Sequence, residues 1–330
     1  MNVSSFGYLH NSGRSKLCIF PTNSKKDKKK REVGGQKMNE YVNSDLAVEK
    51  KGFWQTDDSC YIEEEGDDFT VCRLNIENSE DSKKYGREKG HYVTVFCDKI
   101  WLMDNEAIET MAYTVSHEIE KMLFCVCRKP VSEQKVLVVG LGNPDMTSDA
   151  IGPFTVRQMM VTRHLGGFYK KIFGDKRVTS VSALAPGVLS QTGIETVEII
   201  KSAVDSVLPD AVIAVDSLAA RSCERLGSTV QLFDNGISPG SGVGNTRKAI
   251  DKKNVGVPVI ALGVPTVVDS STLVYDALEK AGVSTVSDEL HKVLTEGRGF
   301  FVSPKESDVI AKSASGLLAA ALDITFGTRV

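Results

Sequence analysis

The chain has 330 residues, enough for one large domain or two ordinary ones, and 41% of them are apolar, so most of the chain can bury a core. Its net charge of −3 gives no support to a nucleic-acid binder, no apolar run is long enough to span a bilayer, and the polar N-terminus lacks the apolar centre of a secretory signal. The seven cysteines are irregularly spaced and odd in number, which favours reduced thiols inside a cell over a disulfide framework.

The first 45 residues differ in composition from the rest of the chain. They contain the run SKKDKKKR, and their nine basic and four acidic side chains give a charge of +5, which leaves −8 on the remaining residues. A polar, highly charged stretch is typical of a solvated, disordered tail, while a removable leader and an electrostatic tether are sharper interpretations. We expect residues 1–45 to form a basic, disordered segment, with a leader as one interpretation, and residues 46–330 to form a single folded domain.

Three strands and one helix are predicted between residues 60 and 130. The stretch YIEEEGDDFTVCRLNI predicts two strands around an acidic Gly-Asp-Asp turn, and a third strand is predicted from His91 to Cys97. From Asn105 to Cys127 the apolar residues recur with the period of a helix. We expect these additional N-terminal strands to extend or flank the main sheet.

Strands alternate with helices from about residue 135 to about residue 265, which predicts a mostly parallel, doubly wound α/β sheet flanked by helices. The strands are nearly continuous apolar runs, as expected for strands that are buried on both faces. The predicted strands begin at Val136, Arg177, Asp210, Ser228 and Val257, and the predicted helices cover residues 154–173, 193–207 and 306–324.

The stretch KVLVVGLGNPDMTSDAIGP, from Lys135 to Pro153, predicts a buried strand, a flexible turn and a short polar loop. Chemistry in open α/β sheets gathers beyond the carboxyl ends of the strands. The strands that end at Gly140 and Asp216 therefore bring Asp149 and Asp216 toward one edge of the sheet. Two carboxylates that meet there can share a proton, so that one acts as base and the other as acid on a water that hydrolyses an amide.

Residue chemistry leaves other roles for these carboxylates open. Asp149 can instead be an N-cap or first-turn acid of the following helix, and Asp216 can end its strand and cap the next helix. Asp234 and Asp269 also follow predicted strands and are reserve candidates.

Two glycine-containing motifs point to other functions. GLGNPD has the first two glycines of a dinucleotide-binding fingerprint, but Asp145 occupies the third glycine position, where an acid opposes pyrophosphate. GLGNP followed by Thr162-Arg163-His164 resembles peptidyl-tRNA hydrolase, which predicts an esterase that uses His164. In this chain the gap between the two motifs is much longer, Leu165 replaces the asparagine of that pattern, and the chain is acidic for a tRNA binder.

Five motifs that occur in order along the chain resemble the germination protease family. They are GLGNPDMTSDAIGP (140–153), PGVLSQTGIETVEII (186–200), PDAVIAVDSLAARS (209–222), DNGISPGSGVGNTR (234–247) and GVPVIALGVPTVVD (256–269), and the resemblance covers most of residues 44–325. It implies an α/β sandwich like that of hydrogenase-maturation endopeptidases. It also implies a cytoplasmic endopeptidase of the forespore and spore core, which initiates degradation of small acid-soluble spore proteins when a spore germinates.

The resemblance implies roles for the carboxylate pair. The family is described as an atypical aspartic peptidase whose functional carboxylates are the Asp of T-x-D-A-x-G-P and the Asp before L-A-A-R-S, which are Asp149 and Asp216 here. The resemblance makes them general base and general acid on a bound water, with the assignment between them open. The related maturation peptidases bind metal through carboxylates and a His, but no His of this chain lies in a matching motif, so we expect no metal and no cofactor.

The resemblance further implies a zymogen that cuts itself near its N-terminus. The family's cut lies in a segment like its substrates, in which an acid is followed by an apolar residue, Ala and a later Glu, and Ser44–Glu49 has this form. We therefore expect cleavage between Asp45 and Leu46, and Met38 is an alternative start of the chain. Expected partners are the small acid-soluble spore proteins and other copies of the chain in a homotetramer, with no direct nucleic acid and no membrane.

Overall fold

The computed structural model describes residues 36–37, 44–49, 60–66, 69–168, 172, 174, 178–240, 247–283, 285–295 and 300–329. These residues lie within one compact unit, Gln36–Val330. Most of the predicted leader, residues 1–35 and 38–43, falls outside the described residues, and so does the Gly-rich stretch 241–246.

Strands and helices alternate along most of the described chain. The strands are β1 (Gln36–Lys37), β2 (Tyr61–Glu65), β3 (Thr70–Ile76), β4 (Gly90–Phe96), β5 (Lys135–Gly140), β6 (Ser180–Leu184), β7 (Ala211–Ala220), β8 (Thr229–Phe233), β9 (Val259–Asp269), β10 (Thr285–Val286) and β11 (Phe301–Val302). The α-helices are α1 (Ser79–Tyr85), α2 (Asn105–Cys127), α3 (Ile151–Gln158), α4 (Leu189–Thr192), α5 (Thr196–Val207), α6 (Lys252–Val255), α7 (Ser270–Lys280), α8 (Asp288–Thr295) and α9 (Ser307–Thr325). Short 3₁₀ helices cover Ala47–Glu49, Ile100–Leu102, Val131–Glu133, Thr147–Asp149, Arg163–Phe168 and Cys223–Arg225. None of the described helices is both long and apolar enough to cross a membrane.

One mixed sheet carries the strands in the order β2-β3-β4-β8-β9-β7-β5-β6, with β11 paired to β9. Its centre is parallel, because β7 pairs in parallel with β9 and β5, and β5 pairs in parallel with β6. Strand β8 runs antiparallel to both β9 and β4, and β2 to β4 extend the sheet as an antiparallel meander. The predicted α/β fold with additional N-terminal strands is confirmed.

The central strands are apolar throughout because both faces of the sheet are covered. Along β5, Val136 and Val138 face an apolar layer shared with α2, α3 and α9, whereas Leu137 and Val139 face a second layer shared with α5. All four side chains are at most 1% exposed. Successive side chains of a strand point to opposite faces, so burial on both sides leaves no position for a charge. Helix α2 has the predicted bounds, and its apolar stripe forms part of the first layer.

Helix α3 is shorter than predicted because tertiary hydrogen bonds capture the chain after Gln158. The N–H of Met160 donates to the Asp323 carboxylate (2.9 Å). Thr162 donates its N–H to the Val181 carbonyl of β6 (3.0 Å) and accepts the N–H of Val181 at its hydroxyl (2.8 Å). These partners replace the helical ones, so the predicted α-helix is interrupted after Gln158 and a 3₁₀ helix follows over Arg163–Phe168. Residues 169–171 and 173 of the prediction lie outside the described residues.

Strands β7 and β9 are longer than predicted because their backbones keep pairing. β7 continues past Asp216 to Ala220, and β9 continues to Asp269, with a bulge in the register between Leu218 and Ala219. Asp216 therefore lies inside a strand, beyond the end of the neighbouring β5. Its alternative role as a strand-end residue that caps the next helix is wrong.

Candidate active site

The turn after β5 needs glycine because it folds back onto the loop that carries Asp149. Gly142 has a φ of 110°, and a Cβ at this position would lie 2.0 Å from the Asp149 carbonyl oxygen. The N–H of Leu141 donates to the Val215 carbonyl of β7 (2.8 Å), which ties the turn to the next strand. The N–H of Asn143 then donates to Oδ2 of Asp149 (2.9 Å). The turn thus fixes the orientation of the Asp149 carboxylate.

The loop that carries Asp149 is clamped between the sheet and α3. The hydroxyl of Thr266 in β9 donates to the Ser148 carbonyl (2.6 Å). In the first turn of α3, a Cβ at Gly152 would lie 2.3 Å from the Leu141 carbonyl oxygen, in the turn after β5. The helix therefore approaches that turn as closely as a glycine permits. Ala150 holds the N-cap position of α3 without a side-chain cap. The N-cap role considered for Asp149 is therefore wrong, and its carboxylate bonds back to the turn instead.

Asp216 is presented from inside β7 and is only 6% exposed. The N–H of Ser217 donates to its Oδ1 (2.9 Å). Strand β9 passes so close that a Cβ at Gly263 would lie 2.5 Å from the Asp216 carbonyl oxygen. The close approach of β9 and the N–H of Ser217 hold this carboxylate in position.

Asp149 and Asp216 line the same cavity, which has a volume of about 330 Å³. The cavity lies beyond the carboxyl end of β5, where the sequence placed the site. Asp45, Ser217 and Arg247 also line it. The structure therefore brings together the two carboxylates that the sequence singled out, and it adds a third acid and a cation to them.

Burial raises the pKa of Asp149 from 3.8 to about 6. The N–H of Asn143 and the charge of Arg247 act in the opposite direction, because both stabilise the ionised carboxylate. Asp149 consequently changes its charge close to neutral pH.

Burial also raises the pKa of Asp216, to well above its usual 3.8. The negative charges of Asp149 and Asp45 raise it further, and the N–H of Ser217 partly opposes them. Like charges that share a site cannot both ionise easily, so the protons of the pair leave in separate steps. The arrangement can hold one proton between two carboxylates over a range of pH.

The predicted cleavage segment lies against β7 beside this cavity. The N–H of Asp45 donates to the Ala219 carbonyl (2.9 Å), and the Asp45 carboxylate accepts the N–H of Ala219 (2.8 Å). Leu46 is completely buried. Cleavage between Asp45 and Leu46 stays a prediction; Asp45 lines the cavity, and Leu46 packs in the apolar layer next to it.

The other residues considered from the sequence do not line this cavity. His164 is exposed on the 3₁₀ helix Arg163–Phe168. Asp234 accepts the N–H of His91 (2.8 Å) and pairs with its ring Nδ1 (2.6 Å), and Asp269 caps α7 through the N–H of Thr272 (2.9 Å). The two reserve carboxylates thus have structural partners.

Sequence reasoning did not single out Ser217 and Arg247 as parts of this site. Ser217 directly follows Asp216, and its buried hydroxyl has no hydrogen-bond partner in the described part of the chain. Arg247 ends the motif DNGISPGSGVGNTR, and a cation directly after a Gly-rich stretch was the available signal.

Metal ligands were not expected from the sequence. Within the described ranges, no group of three or more His, Cys, Asp and Glu side chains is placed to hold a metal ion. The absence of a required cofactor stays a prediction.

Comparison with known proteins identifies the family. The family model described as germination protease, Peptidase_A25, matches residues 34–281. A germination protease of Clostridium perfringens is 37% identical over 317 residues, covering 86% of this chain and 94% of that protein. A germination protease of Caldanaerobacter subterraneus subsp. tengcongensis is 42% identical, and the match covers 72% of this chain and 72% of that protein. A germination protease of Bacillus subtilis is 39% identical, and the match covers 73% of this chain and 67% of that protein. Similarity at this level over most of the length, together with the carboxylate cavity, means that the chain belongs to the germination protease family and is a peptidase.

Proposed function

We propose that this peptidase hydrolyses peptide bonds with Asp149 and Asp216 acting as a pair on a water molecule. The observation that supports this is that both side chains line one cavity, in which burial raises the pKa of each and the charge of one raises the pKa of the other. A pair that shares one proton supplies a base and an acid together, and hydrolysis of an amide by water requires both.

The two pKa values divide the roles. Asp149, with a pKa of about 6, is ionised near neutral pH and takes a proton from the water as the water oxygen attacks the carbonyl carbon. Asp216, whose pKa is raised well above 3.8, keeps its proton and gives it to the amide nitrogen as the C–N bond breaks. A carboxylic acid and an amine leave, and exchange with solvent restores the starting protonation. Arg247 supports this division because its charge lowers the pKa of Asp149.

The proposal includes a zymogen with a leader over residues 1–45 that is removed by cleavage between Asp45 and Leu46. It is supported by the position of Asp45 in the wall of the same cavity. Mass spectrometry of self-processed protein should find Leu46 at the new N-terminus, and a different N-terminus would refute the assignment.

The charges of the two parts of the chain suggest how the leader acts. Residues 1–45 carry +5 and the remainder carries −8, so we propose that the leader blocks substrate by electrostatic attraction to the body. High salt should then speed processing or expose residues 1–45 to added protease. Processing and protease sensitivity that do not change with salt would contradict this.

The name of the relatives, germination protease, supports a role in spore germination. We propose that the substrates are small acid-soluble spore proteins, that their degradation begins during germination in the spore core, and that the chain forms a homotetramer. Incubation with such a spore protein, followed by mapping of the cut sites, tests this proposal. Sedimentation of the purified chain tests the tetramer.

Three variants separate the carboxylate mechanism from the esterase alternative. Asp149→Asn and Asp216→Asn should each lose cleavage while keeping their circular dichroism spectrum. His164→Ala should cleave normally, because His164 is exposed and does not line the cavity. Near-normal cleavage by either Asn variant, or loss of cleavage in His164→Ala alone, would overturn the mechanism.

A further inference from the structure

The motif PGVLSQTGIETVEII, residues 186–200, follows β6 and forms one wall of the cavity that holds Asp149. Gly187 and Val188 line the cavity, and α4 begins directly after them. A helix of four residues is not stable by itself, so its position depends on the contacts that its side chains make. The side chains of α4 therefore decide where this wall of the cavity lies.

Gln191 is a side chain of α4 that reaches the turn after β5. Its Nε2 donates to Oδ1 of Asn143 (2.9 Å) and, over a longer distance, to Oδ2 of Asp145 (3.4 Å). Its Oε1 accepts the N–H of Val188 (3.4 Å). A primary amide carries both donors and acceptors, so it can serve both partners at once. One amide thus joins the cavity wall after β6 to the turn after β5.

Asn143 connects this amide to the Asp149 carboxylate. The side-chain Oδ1 of Asn143 accepts the N–H of Asp145 (3.0 Å) as well as the Nε2 of Gln191. The main-chain N–H of Asn143 donates to Oδ2 of Asp149 (2.9 Å) and stabilises the ionised carboxylate. Gln191 therefore holds the same residue whose N–H bonds the Asp149 carboxylate.

The amide of α4 does this without adding a charge. The charged groups around Asp149 are Arg247, Asp216 and Asp45, which line the same cavity, and Asp145 on its own loop. An acid in place of the amide would add a further negative charge to this set. A neutral side chain in its place removes the hydrogen bonds and leaves every one of these charges unchanged.

We infer that Gln191 is a positioning residue of this peptidase, which holds Asn143 so that the N–H of Asn143 meets the Asp149 carboxylate during catalysis. The inference rests on the proposed function, in which Asp149 is the base. Gln191 does not itself line the cavity, so it acts through Asn143. The motif after β6 thereby supports the base from the neighbouring strand connection.

The pH profile of self-cleavage by full-length Gln191→Ala tests this role. Without the amide the N–H of Asn143 is held less firmly, which raises the pKa of Asp149 above about 6 and moves the lower limb of the profile up by roughly half a unit to one unit. The variant should therefore run at roughly one half to one fifth of the wild-type rate at pH 6 and close to the wild-type rate at pH 8. A structural role alone would slow cleavage equally at every pH, and that result would overturn the inference.

Thr192→Ala is the matched control within α4. The Thr192 hydroxyl donates to the Val188 carbonyl (3.2 Å), so its removal loosens the same turn. It has no bond to Asn143 among the described residues. The ratio of this variant's rate to the wild-type rate should be the same at pH 6 and pH 8. If Thr192→Ala shifts the profile as far as Gln191→Ala does, the contact with Asn143 has no special role.

Asn143→Ala shows whether Gln191 acts through Asn143. This change removes the Oδ1 acceptor but keeps the main-chain N–H that bonds Asp149. It should move the lower limb in the same direction as Gln191→Ala, and the double variant should show little further shift, because the contact is already lost. Shifts that add in full would contradict the proposed connection.

Urea unfolding distinguishes failure of this inference from failure of the proposed function. If the wild-type chain does not cut itself, the proposed function fails, and stability alone decides the inference. Asp149→Asn is then introduced into the wild type and into Gln191→Ala. At pH 8 it should raise the folding equilibrium constant roughly three- to tenfold more in Gln191→Ala, where the ionised carboxylate is less well stabilised, and the two gains should agree at pH 3.5. Equal gains in both backgrounds at pH 8 would refute the inference.

Discussion

Replacing Asp149 by Asn should make the protein less active and more stable at the same time. Burial raises the pKa of this carboxyl from 3.8 to about 6, so keeping it ionised in the folded protein costs about 3 kcal/mol above pH 6. A neutral Asn removes that cost. Because that pKa already includes the opposing hydrogen bond from the N–H of Asn143, the net expectation is about 3 kcal/mol of added stability at pH 8.

The size of this stability difference depends on pH. Because the folded-state pKa of Asp149 lies above the unfolded value, its favourable contribution to stability is complete below pH 3.8 and is lost as the pH rises through about 6. Urea unfolding of the wild type and of Asp149→Asn should therefore give free energies that differ at pH 8 and agree to within about 1 kcal/mol at pH 3.5. Mass spectrometry after each titration confirms that both chains are still full length.

The same variant should lose self-cleavage by at least about a hundredfold, since general acid–base catalysis commonly contributes that much or more. A carboxylate that serves only the fold would behave in the opposite way, with lower stability and normal processing. Either a destabilised Asp149→Asn at pH 8 or processing at the wild-type rate would therefore refute the assignment.

The wild-type rate of self-cleavage should rise about tenfold between pH 5 and pH 7 as Asp149 ionises, and fall at a higher pH where Asp216 loses its proton; a flat profile over this range would contradict the shared proton. Arg247→Gln should move the lower limb of this profile to higher pH, because the Arg247 charge lowers the pKa of Asp149, whereas Arg247→Lys should leave it nearly in place. If the Gln and Lys variants have the same profile, the charge at this position has no such effect. Gly142→Ala should abolish self-cleavage and should lower the free energy of unfolding by more than Gly193→Ala does. Gly193 also has a left-handed φ, 69°, but its surroundings are open, so its replacement reports backbone strain alone, about 1–2 kcal/mol. Equal stability and activity of the two glycine variants would show that the close approach to Asp149 is not required.

The parts of the fold that could be predicted are those with a strong local pattern of apolar residues. Strand β5 and helix α2 were found where the sequence placed them, because an uncharged apolar run and a helical stripe each report burial directly. Asp149 and Asp216 could be paired from sequence because parallel strands deliver their carboxyl ends to one edge, and that rule needs no knowledge of side-chain contacts.

The parts that were not predictable depend on partners far away in the chain. Helix α3 ends early through a bond between Met160 and Asp323, which are 163 positions apart. Asp45 meets Ala219 across 174 positions, and no pattern around either residue announces the contact. Sequence reasoning can thus name the carboxylates at a sheet edge but cannot name the backbone groups that hold the segment with Asp45 beside them.

The complete burial of Leu46 has a consequence for the proposed cleavage before it. Its N–H is a neutral donor to the Ser44 hydroxyl (3.1 Å) inside an apolar layer. Hydrolysis of the bond before it would turn that donor into an ammonium ion, and an ion in such surroundings is strongly disfavoured unless it is paired. The new chain end would be driven into water, away from the carboxyl group released with Asp45, so rejoining the two ends becomes improbable. On the proposed cleavage, the burial of Leu46 would therefore favour separation of the two new chain ends over their rejoining.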